Sequence, residues 1–254
     1  MYLMVDYAYA AFHLLKEKYS PFDPSWFREF RSYYDVKMTL PEFHVLYTLY
    51  RLDHRKAWSQ RPRNTEEAIR SFYSEDMTKY HLFRAVYRHR LSSFYEILKH
   101  TPRTGAVCEY GCGIAPVTYF LVKRRPKASF TCVDIDSHMF KYARWRLADK
   151  PNIKFKSPGL GDVYPLVDKY DVITCLDVLE HVPDPLSLVE HLCEHLKPEG
   201  KLFINFIYAP SQENLESAAE LRDETIDYLN EYLIPTRALI KDDKTGQDGL
   251  YFRA

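Results

Sequence analysis

Beyond Thr101-Pro102, short β-rich runs alternate with helical runs, and this alternation restricts the possible folds more than any other feature. The β-rich runs are AVCEY (106–110), SFTCVDI (129–135), NIKF (152–155), YDVITCL (170–176) and KLFINF (201–206). The helical runs begin at Pro116 and Ser137 and lie near 186–196 and 212–232. Strands that alternate with helices assemble into a parallel sheet, so the pattern predicts a doubly wound α/β fold.

The two ends of the chain have different patterns. The tail ALIKDDKTGQDGLYFRA (238–254) predicts two strands joined by a glycine-containing turn, and therefore an antiparallel hairpin at the end of the sheet. Residues 1–100 contain no glycine and favour four or five helices separated by proline or polar stretches. We therefore expect a helical domain over residues 1–100 and an α/β domain over residues 101–254.

Composition and charge exclude several classes of protein. Basic and acidic side chains number 35 each, so no net field attracts nucleic acid or an anionic membrane. The five cysteines form no C-x-x-C pair, as expected of reduced thiols in the cytoplasm. The apolar N-terminal run contains Asp6 and lacks a basic start, which indicates an amphipathic helix rather than a signal peptide. No run has the length of a transmembrane helix, so we expect a cytoplasmic protein without a membrane partner, and any nucleic-acid binding would have to be local.

The loop CEYGCGIAP (108–116) follows the first strand and indicates a ligand site. Gly111 and Gly113 let the backbone approach a ligand at the carboxyl end of the sheet. A dinucleotide fingerprint has a third glycine where this loop has Pro116, which lacks the N–H that a pyrophosphate would use. Asp134 ends the second strand, where a carboxylate accepts hydrogen bonds from ribose hydroxyls. The loop and Asp134 together predict a ligand with a ribose and no pyrophosphate. The carboxylate of Glu109 would suit an ammonium group on that ligand.

With these motifs, residues 100 to 254 resemble the class I S-adenosylmethionine-dependent methyltransferases. Four motifs occur in the family's order: the run Glu109 to Ala115, the acid Asp134, DVLEHVPDP (177–185) and LKPEGKL (196–202). Ala115 replaces the last glycine of the family's first motif. The resemblance implies a Rossmann-like, doubly wound sheet of seven strands with an antiparallel last strand, here preceded by the helical domain.

The resemblance also implies S-adenosylmethionine as the cofactor and assigns residues to it. The implied cofactor-binding residues are Glu109, Tyr110, Gly111, Cys112, Gly113, Asp134, Ile135, Asp162 and Asp177. Asp134 would hold the ribose, Ile135 would pack on the adenine, and Asp177 would lie nearest the sulfonium. Asp162, in PGLGDVY, is the candidate for the adenine-side acid, although its spacing from the flanking strands departs from the family pattern.

Asp177 and His181 are the candidate catalytic residues. Methyl transfer is an in-line displacement that requires alignment in a dry site, and a hydroxyl acceptor must also lose its proton. Either side chain would act as a base or orient the acceptor; alternatively, His181 only caps or packs at the helix after strand four. Asp177, Glu180 and His181 could also converge on a cation, as in a similar pattern of ubiquinone-pathway and RNA-ribose methyltransferases. We predict no metal, because no partner histidine follows strand five.

Two other motifs are interpreted as surface features. His191, Glu194 and His195 match an H-x-x-E-H zinc pattern, but the leucines of that helix assign them to its polar face. The basic run KRRPK (123–127) is interpreted as an exposed helix end rather than a nucleic-acid patch.

The predicted function is methyl transfer from S-adenosylmethionine to a small-molecule acceptor, with the helical region covering the strand ends as a lid. Three alternatives stay open. The enzyme could transfer or cyclise the aminocarboxypropyl arm and release methylthioadenosine, or it could methylate RNA ribose with a metal. The protein could also be a non-catalytic cofactor-binding subunit. The helical region could in addition carry a homo-oligomer contact or a partner protein.

Overall fold

The computed structural model describes residues 25–60, 65–74, 91–159, 164–207, 215–237, 241–242 and 246–252. The amphipathic helix predicted at the N-terminus lies outside these residues. Within these residues, four helices precede the sheet: α1 (Ser25–Tyr34), α2 (Leu40–Gln60), α3 (Glu66–Tyr73) and α4 (Leu91–His100).

Thr65 caps α3 by accepting a hydrogen bond from the Ala68 N–H at 3.2 Å, and Glu66 and Glu67 occupy the first turn of this helix. Acidic side chains there interact favourably with the helix dipole, so this helix start follows from its sequence.

Five parallel strands form the main sheet, in the order β3-β2-β1-β4-β5. Their bounds are β1 (Ala106–Tyr110), β2 (Ser129–Val133), β3 (Ile153–Lys156), β4 (Tyr170–Cys175) and β5 (Leu196–Ile207). The helices that follow them are α5 (Pro116–Val122), α6 (His138–Arg146), α7 (Pro185–Glu194), α8 (Glu216–Glu220) and α9 (Arg222–Tyr232). The strand order reverses direction between β1 and β4, which places a ligand crevice at their carboxyl ends.

The predicted count of seven strands is wrong. Three short strands follow α9, namely β6 (Ile234–Arg237), β7 (Lys241–Asp242) and β8 (Gly246–Phe252), so the described residues form eight strands. β8 runs antiparallel to β5, β6 and β7. The strand that was not predicted is β6, which lies before the tail 238–254 and pairs with β8, whereas β7 and β8 lie within that tail.

Helices cover both faces of the sheet. Neighbouring residues of one strand point to opposite faces, so they pack against different helices. Val107 packs in a cluster with α4, α5 and α6, whereas the next residue, Cys108, packs in a cluster with α7, α8 and α9. Both residues are at most 1% exposed. The continuous apolar runs of the central strands therefore reflect burial on both faces.

Aromatic side chains attach the first two helices to the α/β core. Phe30 of α1 and Phe43 of α2 meet edge to face with ring centroids 4.9 Å apart, in a cluster that includes Tyr142 of α6. Beside it, Glu29 accepts a hydrogen bond from the Tyr142 hydroxyl at 2.9 Å and pairs with Arg146 at 3.2 Å. None of the helices among the described residues combines the length and the apolar character that a membrane span requires.

Candidate functional site

A cavity of about 210 Å³ opens at the carboxyl ends of the parallel strands. Its walls come from α3, from the loop between β1 and α5, and from the segments that follow β2, β3 and β4. The lining residues are Glu66, Ile69, Arg70, Tyr73, Tyr110, Gly111, Gly113, Val133, Asp134, Ile135, Ser137, Met139, Pro158, Asp177, Val178, His181, Val182 and Pro183. The helical region and the α/β region therefore build the cavity together.

The two glycines of the β1–α5 loop have different surroundings. Both have positive φ, +64° at Gly111 and +50° at Gly113, where an L side chain is strained. A Cβ at Gly111 would lie 2.2 Å from Cγ2 of Val178, whereas a Cβ at Gly113 would have no atom within 4 Å. Gly111 is therefore required by packing, and Gly113 leaves open space for a ligand.

The rest of the loop is fixed by its backbone. The Cys112 N–H donates to the Val133 carbonyl at 3.0 Å, and the Cys112 side chain is buried. Ala115 has a φ of +52°, an unusual left-handed conformation for a residue with a Cβ, and it precedes Pro116 at the first position of α5. Cys112 therefore contributes to the loop through its backbone, and burial raises the pKa of its thiol.

Glu109, predicted to line a ligand, is placed beneath the loop and is not among the residues that line the cavity. Its two carboxylate oxygens accept hydrogen bonds from the Val117 N–H at 3.1 Å and the Thr118 N–H at 2.7 Å, in the first turn of α5. Burial raises the pKa of Glu109 to about 7, although these hydrogen bonds oppose the shift. The carboxyl group of Glu109 therefore holds the start of α5.

Asp134 lies at the end of β2 and lines the cavity, as the sequence predicts. Its Oδ2 accepts a hydrogen bond from the Gly113 N–H at 2.5 Å, which ties β2 to the glycine loop. Burial raises the pKa of Asp134 to about 6, and hydrogen bonds from Gly113 and Ile135 and the charge of Arg70 oppose the shift. At neutral pH this carboxylate is therefore ionised and can accept further hydrogen bonds from a ligand.

Asp177, directly beyond β4, is held in an unusual backbone conformation by Asn205 of β5. Its φ is +57°. The Asp177 N–H donates to Asn205 Oδ1 at 2.6 Å, and Asn205 Nδ2 donates to Asp177 Oδ1 at 2.7 Å. Asn205 is not among the predicted site residues, although it is a polar residue in the apolar run KLFINF. This reciprocal pair orients the Asp177 carboxylate at the edge of the cavity.

His181 also lines the cavity, at the end of a short 3₁₀ turn, Leu179–His181. Its ring lies 6.5 Å from the ring of Tyr73 of α3, and its Nε2 lies 3.9 Å from a Glu180 carboxylate oxygen. The cap of the following helix is instead Asp184, which accepts a hydrogen bond from the Ser187 N–H at 2.9 Å. His181 therefore faces the cavity together with Asp177. The predicted adenine-side acid, Asp162, lies outside the described residues.

The H-x-x-E-H motif forms a close group, but its hydrogen bonds are structural. His191, Glu194 and His195 place possible ligand atoms within 4.8 Å of one another. However, His191 Nε2 accepts a hydrogen bond from the Leu166 N–H at 3.2 Å, and His195 Nδ1 bonds the His191 carbonyl at 2.7 Å. The lone pair that His191 would offer to a metal already binds the backbone, which agrees with a structural role for this helix face.

A family model described as a methyltransferase domain matches residues 108–202. The ubiquinone biosynthesis O-methyltransferase of Xylella fastidiosa is 33% identical over 116 residues, which cover 44% of this chain and 46% of that protein. The enzyme of the same name from Actinobacillus pleuropneumoniae is 32% identical over 107 residues, 40% of this chain and 45% of that protein. The chain thus spans less than half the length of these curated relatives.

Among solved structures, the fold is similar to that of the N-methyltransferase NodS from Bradyrhizobium japonicum in complex with S-adenosyl-L-homocysteine. The TM-score is 0.54 at 14% identity, with 75% of this chain and 98% of that chain covered. At this identity, the likeness shows the fold alone. The family model thus matches residues 108–202 as a methyltransferase domain, and the structural likeness adds that the chain shares the α/β fold of this solved structure.

Proposed function

We propose that this protein transfers a methyl group from S-adenosylmethionine to an oxygen atom of a small-molecule acceptor. The observation that carries the proposal is the pairing of Asp134 with Gly113 beside open space at the carboxyl edge of the sheet. The O-methyltransferase names of the curated relatives support oxygen as the atom that accepts the methyl group.

The residues at the cavity fit this cofactor. Asp134 presents an ionised carboxylate for ribose hydroxyls, Ile135 offers an apolar surface next to it, and Gly113 leaves room for backbone contact. Tyr110 and Gly111 line the same wall. When bound, S-adenosylmethionine supplies an electrophilic methyl group. The chain therefore needs to bind the cofactor and the acceptor, align them and exclude water, rather than stabilise new negative charge.

Asp177 and His181 are our candidates for handling the acceptor. A hydroxyl group attacks well only as it loses its proton, so a base within hydrogen-bond reach is needed. The imidazole of His181 would accept that proton, and the Asp177 carboxylate, oriented by Asn205, would hold the acceptor in line. The wall contributed by Ile69 and Tyr73 of α3 supports the proposal that the helical domain, residues 1–100, is a lid over the acceptor.

The test is to incubate the protein with methyl-labelled S-adenosylmethionine and a small-molecule extract, and to analyse the products by mass spectrometry and NMR. The proposal expects S-adenosylhomocysteine above a no-enzyme control and a labelled methoxy carbon in the product. The D134N variant, which keeps the shape of the side chain, is the matched control and should show strongly reduced turnover. Methylthioadenosine as the released nucleoside would instead show transfer of the aminocarboxypropyl arm and contradict the proposal.

A further inference from the structure

We infer that Arg70 of α3 is a positioning residue for the cofactor: it fixes the segment after β3 beside the adenine and supplies positive charge to the ribose-binding end of β2. This inference rests on the proposed function. Arg70 lies outside residues 108–202, so the methyltransferase domain would draw part of its cofactor site from the helical region.

The contacts of Arg70 cross from the helical region to the sheet. Its Nη1 donates to the Pro158 carbonyl and its Nη2 donates to the Gly159 carbonyl, both at 2.9 Å. Its Nε donates to Glu66 at 2.7 Å, one turn earlier on α3, and the side chain is 18% exposed. Because all three guanidinium nitrogens are engaged, the side chain holds α3 and the segment after β3 in one arrangement.

The position of this contact matches the adenine end of the predicted ligand. The sheet order β3-β2-β1 places Asp134 on the middle strand of these three. With the ribose at Asp134 and the methionine part near the β1 loop, the base extends towards β3. Arg70 and Pro158 line the cavity on that side. The fixed segment therefore forms the wall against which the base would pack.

The charge of Arg70 acts on Asp134 as well. The charge of Asp134 raises the pKa values of three neighbouring groups, namely the carboxyl of Glu109 and the hydroxyl of Tyr110 on β1 and the thiol of Cys112 in the loop. Arg70, from α3, is the cation that lowers the pKa of Asp134 against the effect of burial. Its removal therefore raises that pKa and leaves less ionised carboxylate near neutral pH.

A purely structural role for Arg70 makes a different prediction. If the side chain only fastened α3 to the sheet, its loss would weaken cofactor binding equally at every pH. A role that includes charge also moves the pH at which binding is lost. Lysine at this position separates the effect of charge from the effect of the hydrogen bonds. It keeps the positive charge but lacks the planar guanidinium that donates to two carbonyl groups and to Glu66 at once.

The experiment is calorimetric titration of S-adenosylhomocysteine into the full chain and its R70A and R70K variants, over a pH series from about 5 to 8. We expect both variants to bind about tenfold more weakly at the upper end of the series, the size of one charged hydrogen bond. Binding by the unchanged protein should be lost as pH falls through about 6. The midpoint should move to higher pH in R70A and stay near the original value in R70K.

The matched control is R103A, because Arg103 is exposed at the opposite, amino end of β1. It should leave both affinity and midpoint unchanged. Affinities within twofold of the unchanged protein in both Arg70 variants, or a weaker affinity without any shift of midpoint in R70A, would overturn the inference. If R70A does not fold by circular dichroism, weaker binding by folded R70K supports the inference and unchanged binding overturns it. Absence of binding by the unchanged protein would instead refute the proposed function itself.

Discussion

The two sides of the β1–α5 loop use the same residue types for different purposes. On the inner side, Glu109 holds the first turn of α5 and Gly111 makes room for Val178. On the outer side, Asp134 and Gly113 bond each other and face the cavity. Both carboxyl groups have pKa values raised by burial, to about 7 and about 6 respectively. The hydrogen-bond partners, rather than the residue type or the pKa, therefore separate the supporting carboxylate from the one that can bind a ligand.

The largest expected effect separates the two glycines. G111A should lower the free energy of unfolding by roughly 2–5 kcal/mol, because the new Cβ meets Val178 at 2.2 Å and φ is positive. G113A has the same backbone strain without a collision, so it should cost roughly 1–2 kcal/mol and mainly weaken ligand binding. Urea unfolding and titration with S-adenosylhomocysteine measure the two effects. Equal stability losses would contradict the assignment of Gly111 to packing.

The second prediction concerns the stability contribution of Glu109. Its pKa rises from 4.5 to about 7 on folding, so the folded state binds more protons than the unfolded state in that interval. Stability from this group is therefore greatest below about pH 4.5 and is lost as pH rises through about 7. The stability advantage of the unchanged protein over E109Q should fall by on the order of 3 kcal/mol across this window. Urea unfolding at several pH values tests this, and a constant difference would contradict it.

The third prediction concerns Asn205. N205A removes both hydrogen bonds that hold Asp177, so the free energy of unfolding should fall by about 1–3 kcal/mol. Affinity for S-adenosylhomocysteine should change less than it does in D134N, because Asn205 does not line the cavity. Thermal unfolding and calorimetry check the two parts. A loss of affinity as large as that of D134N would place Asn205 in the binding site instead.

The smallest effect is expected at Ala115, where a family glycine is absent. A115G relieves the left-handed strain, worth about 1–2 kcal/mol, but removes a fully buried methyl group, worth about 0.8 kcal/mol, and adds backbone entropy to the unfolded chain. The net change in the free energy of unfolding should therefore lie within about 1 kcal/mol of zero. A larger loss, measured by urea unfolding, would show that the methyl group is needed for packing.

Much of the α/β half was predictable because hydrophobic runs and turn residues mark strand ends locally. β1 has the predicted bounds, the helix predicted from Pro116 begins there, and Asp134 lies at the end of β2 as expected. The helix predicted near 212–232 is divided into α8 and α9 within the described residues.

Other features depend on pairings between distant residues and have no local signal. Arg70 meets Pro158 across 88 residues, and Asn205 meets Asp177 across 28 residues. The role of Glu109 depends on which way its carboxyl group points, towards the loop or towards the helix that follows. The strand count failed for a similar reason, since β6 is a strand only through its pairing with β8, more than ten residues further along the chain.

The most direct test of the central claim is a side-by-side titration of S-adenosylhomocysteine into the unchanged protein, D134N and E109Q at about pH 8. We expect one binding site per chain in the unchanged protein and binding in D134N that is weaker by about 10–150-fold. E109Q should bind within about threefold of the unchanged protein, because Glu109 supports the loop from beneath. Binding by D134N as tight as by the unchanged protein, or an equal loss in both variants, would contradict the division of the loop into a supporting side and a binding side.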